Sequence, residues 1–423
     1  MHHNYHEVAA SLKTSGRILI ICSCFLQGNS FLSGETLRFE AALPHVIERA
    51  QIADLKEAST QASSSRLQAA EAFPNPSGIA EHEYLDGSPG DTDESLLGLS
   101  SSLDFIWKRG ARIEAARQFG AIAPHRIAEM ERQIAYRLAA VYLETAAGDE
   151  RLNALSDVKT RLDEAYRISG SLVENGEIPP AHRRRIALSL EQLAMERVSL
   201  EADKIASAAE FQALTGIESA QPAQLSIGDP AFPSVAAAVA AAHSHRPDLK
   251  ALEAIKHWRE SEVSRAKVES LPEASLDLAY KQDNEDRAGG FIGVSVEIPI
   301  FGENRASKMK AQAESFHATI EREQLRRKVA SEVSAAYQRY ESLKQQTGID
   351  AHAGDDDYLR SELSAFQNGE ASVVEYLDAI QVYRETLFTR IEHRQLQQQA
   401  RLKLLFLTAT EYPFSNSLST HSK

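Results

Sequence analysis

The chain is poor in sulfur and in aromatic residues. Cysteine occurs only as Cys22 and Cys24 among 423 residues, so beyond position 24 neither a disulfide framework nor a cysteine-based metal site can be built. Methionine after Met1 is confined to Met130, Met195 and Met309, which argues against a thioether relay for Cu(I). Aromatic residues make up 7%, and Ala, Glu, Gln, Leu and Arg dominate the middle and end. That balance favours long helices over a compact mixed core. A basic excess is missing too. The formal net charge of −14 argues against nucleic acid as a partner, because phosphate binding needs a cationic surface. The one basic cluster, Arg183-Arg184-Arg185, reads as a solvated helix face. No phosphate-cradling Walker loop, dinucleotide glycine fingerprint or H-E-x-x-H zinc pattern occurs, so the sequence calls for no enzyme activity and no cofactor.

No apolar run is long enough to span a bilayer as a helix. Ile18–Leu26, preceded by Lys13 and Arg17, has the charged and apolar regions of a secretory signal but is too short to cross. Residues 1–30 are therefore expected to be a signal peptide or leader, with small residues Gly28 and Ser30 at its end. Ile21 and Ser23 partly fit a lipoprotein signal, which makes Cys24 the candidate for lipid attachment, although Cys22 fits that pattern badly.

What is present is a duplication at a separation of about 195 residues, too long for a solenoid repeat. Gly98 lies among alternating Leu97, Leu99, Leu103 and Phe105, and Tyr142 follows forty-four positions later. Gly293 lies among Ile292, Val294, Val296 and Ile298, and Tyr337 again follows after forty-four. Asn175-Gly176-Glu177 recurs as Asn368-Gly369-Glu370. The chain thus divides into a first repeat over 40–215, a Pro- and Gly-rich linker over 216–235, a second repeat over 236–410 and a flexible tail over 411–423.

Within each repeat the expected order is helix, hairpin, long helices. Residues 40–72 read as one helix, 79–84 as a weak strand and Leu96–Phe105 as a better one. A long helical pattern then runs to a break at Gly148-Asp149 and resumes to Asn175-Gly176. The second half opens at Arg246-Pro247-Asp248-Leu249, with strands Ser275–Lys281 and Phe291–Pro299 and a helical break at Gly348–Gly354. Val329, Val333, Ala336, Tyr340 and Leu343, like Val373, Leu377 and Ile380, step by three and four residues as a coiled-coil seam does. In the strands, Leu276, Leu278 and Tyr280 alternate with Ser275, Asp277, Ala279 and Lys281. One apolar face and one polar face fit a half-wet soluble sheet or a membrane barrel. Four strands cannot close a barrel alone, so a membrane reading requires several copies, and three would supply twelve strands.

These features together resemble the outer-membrane efflux protein family, the TolC-like exit ducts of Gram-negative bacteria. The resemblance rests on the duplicated order and on Phe73-Pro74-Asn75-Pro76, Arg246-Pro247-Asp248-Leu249, Pro299–Arg305 and Gly369-Glu370-Ala371-Ser372 before Tyr376-Leu377-Asp378-Ala379. It implies a mostly α chain with a small β part, and a trimeric 12-stranded barrel in the outer membrane continued by a periplasmic α-helical coiled-coil barrel. It also implies a passive duct working with an inner-membrane efflux pump and a periplasmic adaptor. Lys108–Ala116 is similar to the branch serving heavy-metal pumps. The alternative is a soluble or periplasmic helical coiled-coil scaffold.

Two acidic turns are the candidate gate or selectivity elements. Asp149 and Glu150 are expected at a first helical tip, and Asp350, Asp355, Asp356 and Asp357 at a second. In a threefold ring each carboxylate would appear three times around one axis, favouring cations. His243-Ser244-His245 reads as loop histidines rather than as a metal site.

Overall fold

The computed structural model describes residues 36–87, 90–218, 220–297, 303–346 and 355–410. The leader with Cys24, the tail over 411–423, Asp350 and most of the Pro299–Arg305 motif lie outside the described residues.

The first half runs β1 (Thr36–Leu37), α1 (Phe39–Arg49), α2 (Ile52–Glu71), β2 (Ser77–Leu85), β3 (Thr92–Ser102), α3 (Phe105–Gly120), α4 (Ile122–Glu174) and α5 (Pro180–Thr215). The second half runs β4 (Gln221–Pro222), α6 (Val235–His245), α7 (Pro247–Glu269), β5 (Glu273–Asp283), β6 (Ala288–Glu297), α8 (Glu303–Gln345), α9 (Asp355–Gln367) and α10 (Val373–Thr408). The element order of one half is replayed in the other, and the matching tyrosines do the same work. The Tyr142 hydroxyl donates to the Leu37 carbonyl at 2.8 Å, and the Tyr337 hydroxyl to the Phe232 carbonyl at 3.3 Å, each reaching back 105 residues.

The single helix expected over 40–72 is two helices, because Gln51 adopts a left-handed conformation at φ 53° and turns the chain. The strand expected over 79–84 is full length, pairing along β3 from Ser77↔Ser100 to Leu85↔Thr92. The expected break at Gly148-Asp149 does not occur: α4 continues through it for 53 residues, about 80 Å at 1.5 Å per residue. An interior glycine costs about 1 kcal/mol against alanine. Ala147, Leu155 and Val158 are buried on either side, and packing against α5 outweighs that local preference. The His243–His245 segment is the last turn of α6, not a loop, and His243 Nε2 lies 3.2 Å from the Arg326 carbonyl.

One sheet holds the four long strands, all antiparallel, in the order β2-β3-β5-β6. Beneath it the packing order is α2-α3-α7-α8, and towards the far end it is α5-α4-α10-α9. All three tiers therefore share one column order, with β2, α2 and α5 at one edge and β6, α8 and α9 at the other. Three apolar clusters fill the columns. One surrounds Tyr142, Phe39 and Phe211, one surrounds Val329, Val333 and Tyr340, and one surrounds Leu155, Ile186, Phe366 and Tyr376. The seam residues Val329, Val333, Tyr340, Val373 and Ile380 are all buried in them.

Candidate channel wall and helical tips

Directly opposed residues share a face, so the register sorts the sheet into two surfaces. On one face Leu99 opposes Leu278 and Leu278 opposes Ile292; Leu97 opposes Tyr280, and Leu276 opposes Val294. These side chains are in the open: Leu97 is 69%, Ile292 76% and Val294 66% exposed. A contiguous apolar sheet face of this kind marks a surface made for contact with something apolar. The strands are 9, 11, 11 and 10 residues long, the length of a tilted strand crossing a bilayer.

The other face is polar and mostly acidic. Ser100 donates to Asp277 Oδ1, and the hydroxyls of Ser275 and Ser295 lie 2.7 Å apart. Lys281 pairs with Glu94, and the same face carries Glu81, Glu83 and Asp283. The Asp283 carboxylate accepts from the Arg287 guanidinium and from the Glu285 and Arg287 backbone amides. Glu81 and Glu83 of β2 therefore lie on the polar face, whereas His82, opposite Ser95, lies on the apolar one. Gly98 faces Ala279 so closely that a Cβ at Gly98 would come within 2.3 Å of the Ala279 Cβ.

Where the sheet meets the helices, a buried ion cluster joins α3, α7 and β5. Lys108 has no exposed side-chain surface, and its Nζ lies 2.7 Å from Glu273, 3.5 Å from Asp104 and 3.9 Å from Glu269. Arg112 reaches Glu269 at 2.7 Å and Asp104 at 3.4 Å. Burial opposes the ionisation of Asp104. The Ser102 hydroxyl, Lys108 and Arg112 together outweigh it and hold the group below its ordinary value. In the sequence Lys108–Ala116 stands out for its resemblance only; the carboxylates that Lys108 gathers lie as much as 165 positions away. Arg246-Pro247-Asp248-Leu249 is likewise structural. Arg246 binds both Asp248 oxygens, and Asp248 Oδ1 accepts from the Leu249 amide at the start of α7.

Among the described residues, two helical reversals lie at the repeated Asn-Gly-Glu. Chain reversal occurs at Asn175–Pro179 between α4 and α5, and at Asn368–Ser372 between α9 and α10. Both reversals use the same cap. Gly176 (φ 78°) and Gly369 (φ 76°) are left-handed, and the Glu177 and Glu370 amides reach back to the carbonyls of Leu172 and Ala365, each at 2.8 Å. Ser372 and Glu375 then form a capping box on α10. The repeated Asn-Gly-Glu was the signal for these tips.

Asp149 and Glu150 lie in mid-helix instead. Asp149 pairs with Lys204 at 2.6 Å and Glu150 with Arg394 at 3.4 Å. Asp355, Asp356 and Asp357 open α9, about 16–20 Å short of the turn at 1.5 Å per residue. The Asp357 carboxylate is exposed and 3.4 Å from Arg360. Asp149 and Glu150 thus lie within α4, and Asp355–Asp357 at the start of α9, away from the two reversals among the described residues. Among the described residues no group of three or more His, Cys, Asp or Glu is placed to hold a metal ion, and no helix is long and apolar enough to cross a membrane.

No family model and no curated protein matches this sequence. Solved structures do match the fold. CusC, described for the conformational changes accompanying folding and transmembrane channel formation, shares 17% identity at a TM-score of 0.69, over 91% of this chain and 95% of its own. The outer-membrane channel OprN shares 16% identity at 0.71, over 88% and 89%. The Campylobacter jejuni CmeC outer membrane channel shares 16% at 0.68, over 87% and 85%. With its four strands above long duplicated helices, this chain has the TolC-like fold of the outer-membrane channels.

Proposed function

We propose that this protein is an outer-membrane exit duct, working as a homotrimer that passes cargo from an inner-membrane pump and a periplasmic adaptor to the outside. The sheet carries the reading: one face is apolar and exposed, the other polar, and β2 and β6 are open edges. An open edge in lipid would leave backbone groups unpaired at several kcal/mol each, which three copies closing twelve strands would avoid. A soluble scaffold would have to leave Leu97, Leu278, Ile292 and Val294 in water. Fractionation of cells tests the choice. The mature chain should sediment with outer membranes and need detergent for release, then size as a trimer. Recovery in the soluble fraction would sink the duct.

Cations, heavy-metal ions among them, are the inferred cargo. The acidic wet face supports this, because like charges repeated around an axis favour counter-ions. The Asp355–Asp357 run, with Asp350, is the candidate selectivity element of the helical duct, while Asp149 and Glu150 belong to its wall. Replacing Asp355, Asp356 and Asp357 by Asn is expected to lower cation selectivity of single channels in planar bilayers and to weaken block by divalent ions. Unchanged selectivity and block would place this run in bulk solvent.

A further inference from the structure

An open groove of about 760 Å³ lies between α2, α3 and the start of α4, with Ser59, Ser63, Leu67, Gly120, Ala123 and Ile127 on its walls. It is walled by α2 of one edge column and by α3 and α4 of the column beside it. On the opposite edge column, α8 presents Met309, Phe316 and Ile320 to the outside, Phe316 with 68% of its surface exposed. Their spacing of seven and four is that of a helix-packing seam. Phe316 is two positions from Ala318, which is buried, so it points roughly 200° around α8, away from the protomer's own packing.

The heights agree. A Cβ at Gly120 would touch Ser63, the neighbouring Phe119 ring stacks edge-on against Trp258 at 5.2 Å, and Arg259 pairs with Glu314 at 2.6 Å. Ser63, Gly120, Trp258 and Glu314 therefore lie at one level, and Phe316 is only about 3 Å along α8 from Glu314. A phenyl ring and a groove bordered by α2 thus stand level towards opposite edges of one chain, the groove carrying Lys56, Arg117 and Glu131 beside its small residues. Opposite edges of a single chain can meet only between copies.

We infer that Phe316 of one copy, with Ile320 beside it, seats in the α2–α3–α4 groove of the next. This rests on the trimeric duct proposed above and names the contact that would close its helical tier. The arrangement is head-to-tail, so it forms a ring only if the rotation closes. The same rotation that brings α8 against α2 brings β6 against β2, because both pairs occupy the same two edge columns.

Full-length protein in outer-membrane vesicles tests the contact. Ser63→Cys combined with Phe316→Cys should give covalent dimers and trimers on mild oxidation, whereas each single variant and the parent should stay monomeric in denaturing gels. Ser59→Cys with Ile320→Cys provides a second pair at the same edge. If both double variants assemble as native-sized trimers in the membrane yet cross-link no more than the singles, the contact is wrong and the duct stands. If the parent itself is not trimeric in the membrane, the duct reading fails and this contact with it. Cross-linking by a single variant alone would show a two-fold contact and would also overturn the ring.

Discussion

Leu278→Arg is expected to abolish stable assembly in the membrane. Leu278 stands at the middle of the apolar face, opposed by Leu99 on one side and Ile292 on the other, and half of it is exposed. If this face meets lipid, an arginine near the midplane costs about 2–4 kcal/mol per copy. A threefold barrel carries the cost three times, and that total rivals the net stability of an ordinary domain, about 5–15 kcal/mol. Ser295→Arg supplies the control, because Ser295 is on the same sheet but faces the wet side, beside Ser275. That substitution should leave assembly intact and shift ion selectivity. The readout is the fraction of chain in membrane-bound trimers. Equal loss for both substitutions would mean that the two faces do not differ in solvent, and the barrel would have to be given up.

The parts of this fold that a sequence shows are those in which local pattern and packing agree. Leu276, Leu278 and Tyr280 alternate with polar neighbours, and that period survives as the two faces of β5. Val329, Val333 and Tyr340 keep helical spacing and are buried together. Local signals mislead where packing overrides them. Gly148 and Asp149 look like a stop, yet the helix continues because Ala147 and Leu155 are buried around them and Lys204 neutralises Asp149. The true reversals depend on one left-handed glycine each, and in the sequence Gly176 and Gly369 stand out only because Asn-Gly-Glu occurs twice at matching places. The ion cluster around Lys108 is hidden in the sequence for another reason. Its partners Glu269 and Glu273 are brought to it by the sheet order, in which β3 lies next to β5, and no local spacing encodes that.

Lys108→Met is expected to destabilise the folded protomer by about 3–5 kcal/mol at pH 7, the usual cost of removing one partner from a buried ion pair. The side chain is fully enclosed, so methionine keeps most of its volume and the main loss is the charge. Asp104, itself buried, would then rely on Arg112 and the Ser102 hydroxyl alone. Glu273→Gln makes a contrast, because Glu273 is 58% exposed at its side chain and water can replace much of what Lys108 gives it. That variant should cost under about 1 kcal/mol. The effect carries a pH signature. Asp104 titrates below its ordinary value of 3.8 in the folded protein, so its ionised form adds stability above that pH. The contribution disappears as pH falls through the depressed folded value. Lys108→Met removes the Lys108 share of that depression and leaves the Ser102 and Arg112 shares. The gap between parent and variant should therefore be largest near neutrality and narrow as pH falls through the depressed folded value. Denaturant midpoints of the detergent-solubilised protein, taken across that range, measure the gap. A gap that stays constant down to the acid limit would assign the loss to packing rather than to charge, and equal stability at pH 7 would show that Arg112 alone suffices to hold the joint between sheet and helices.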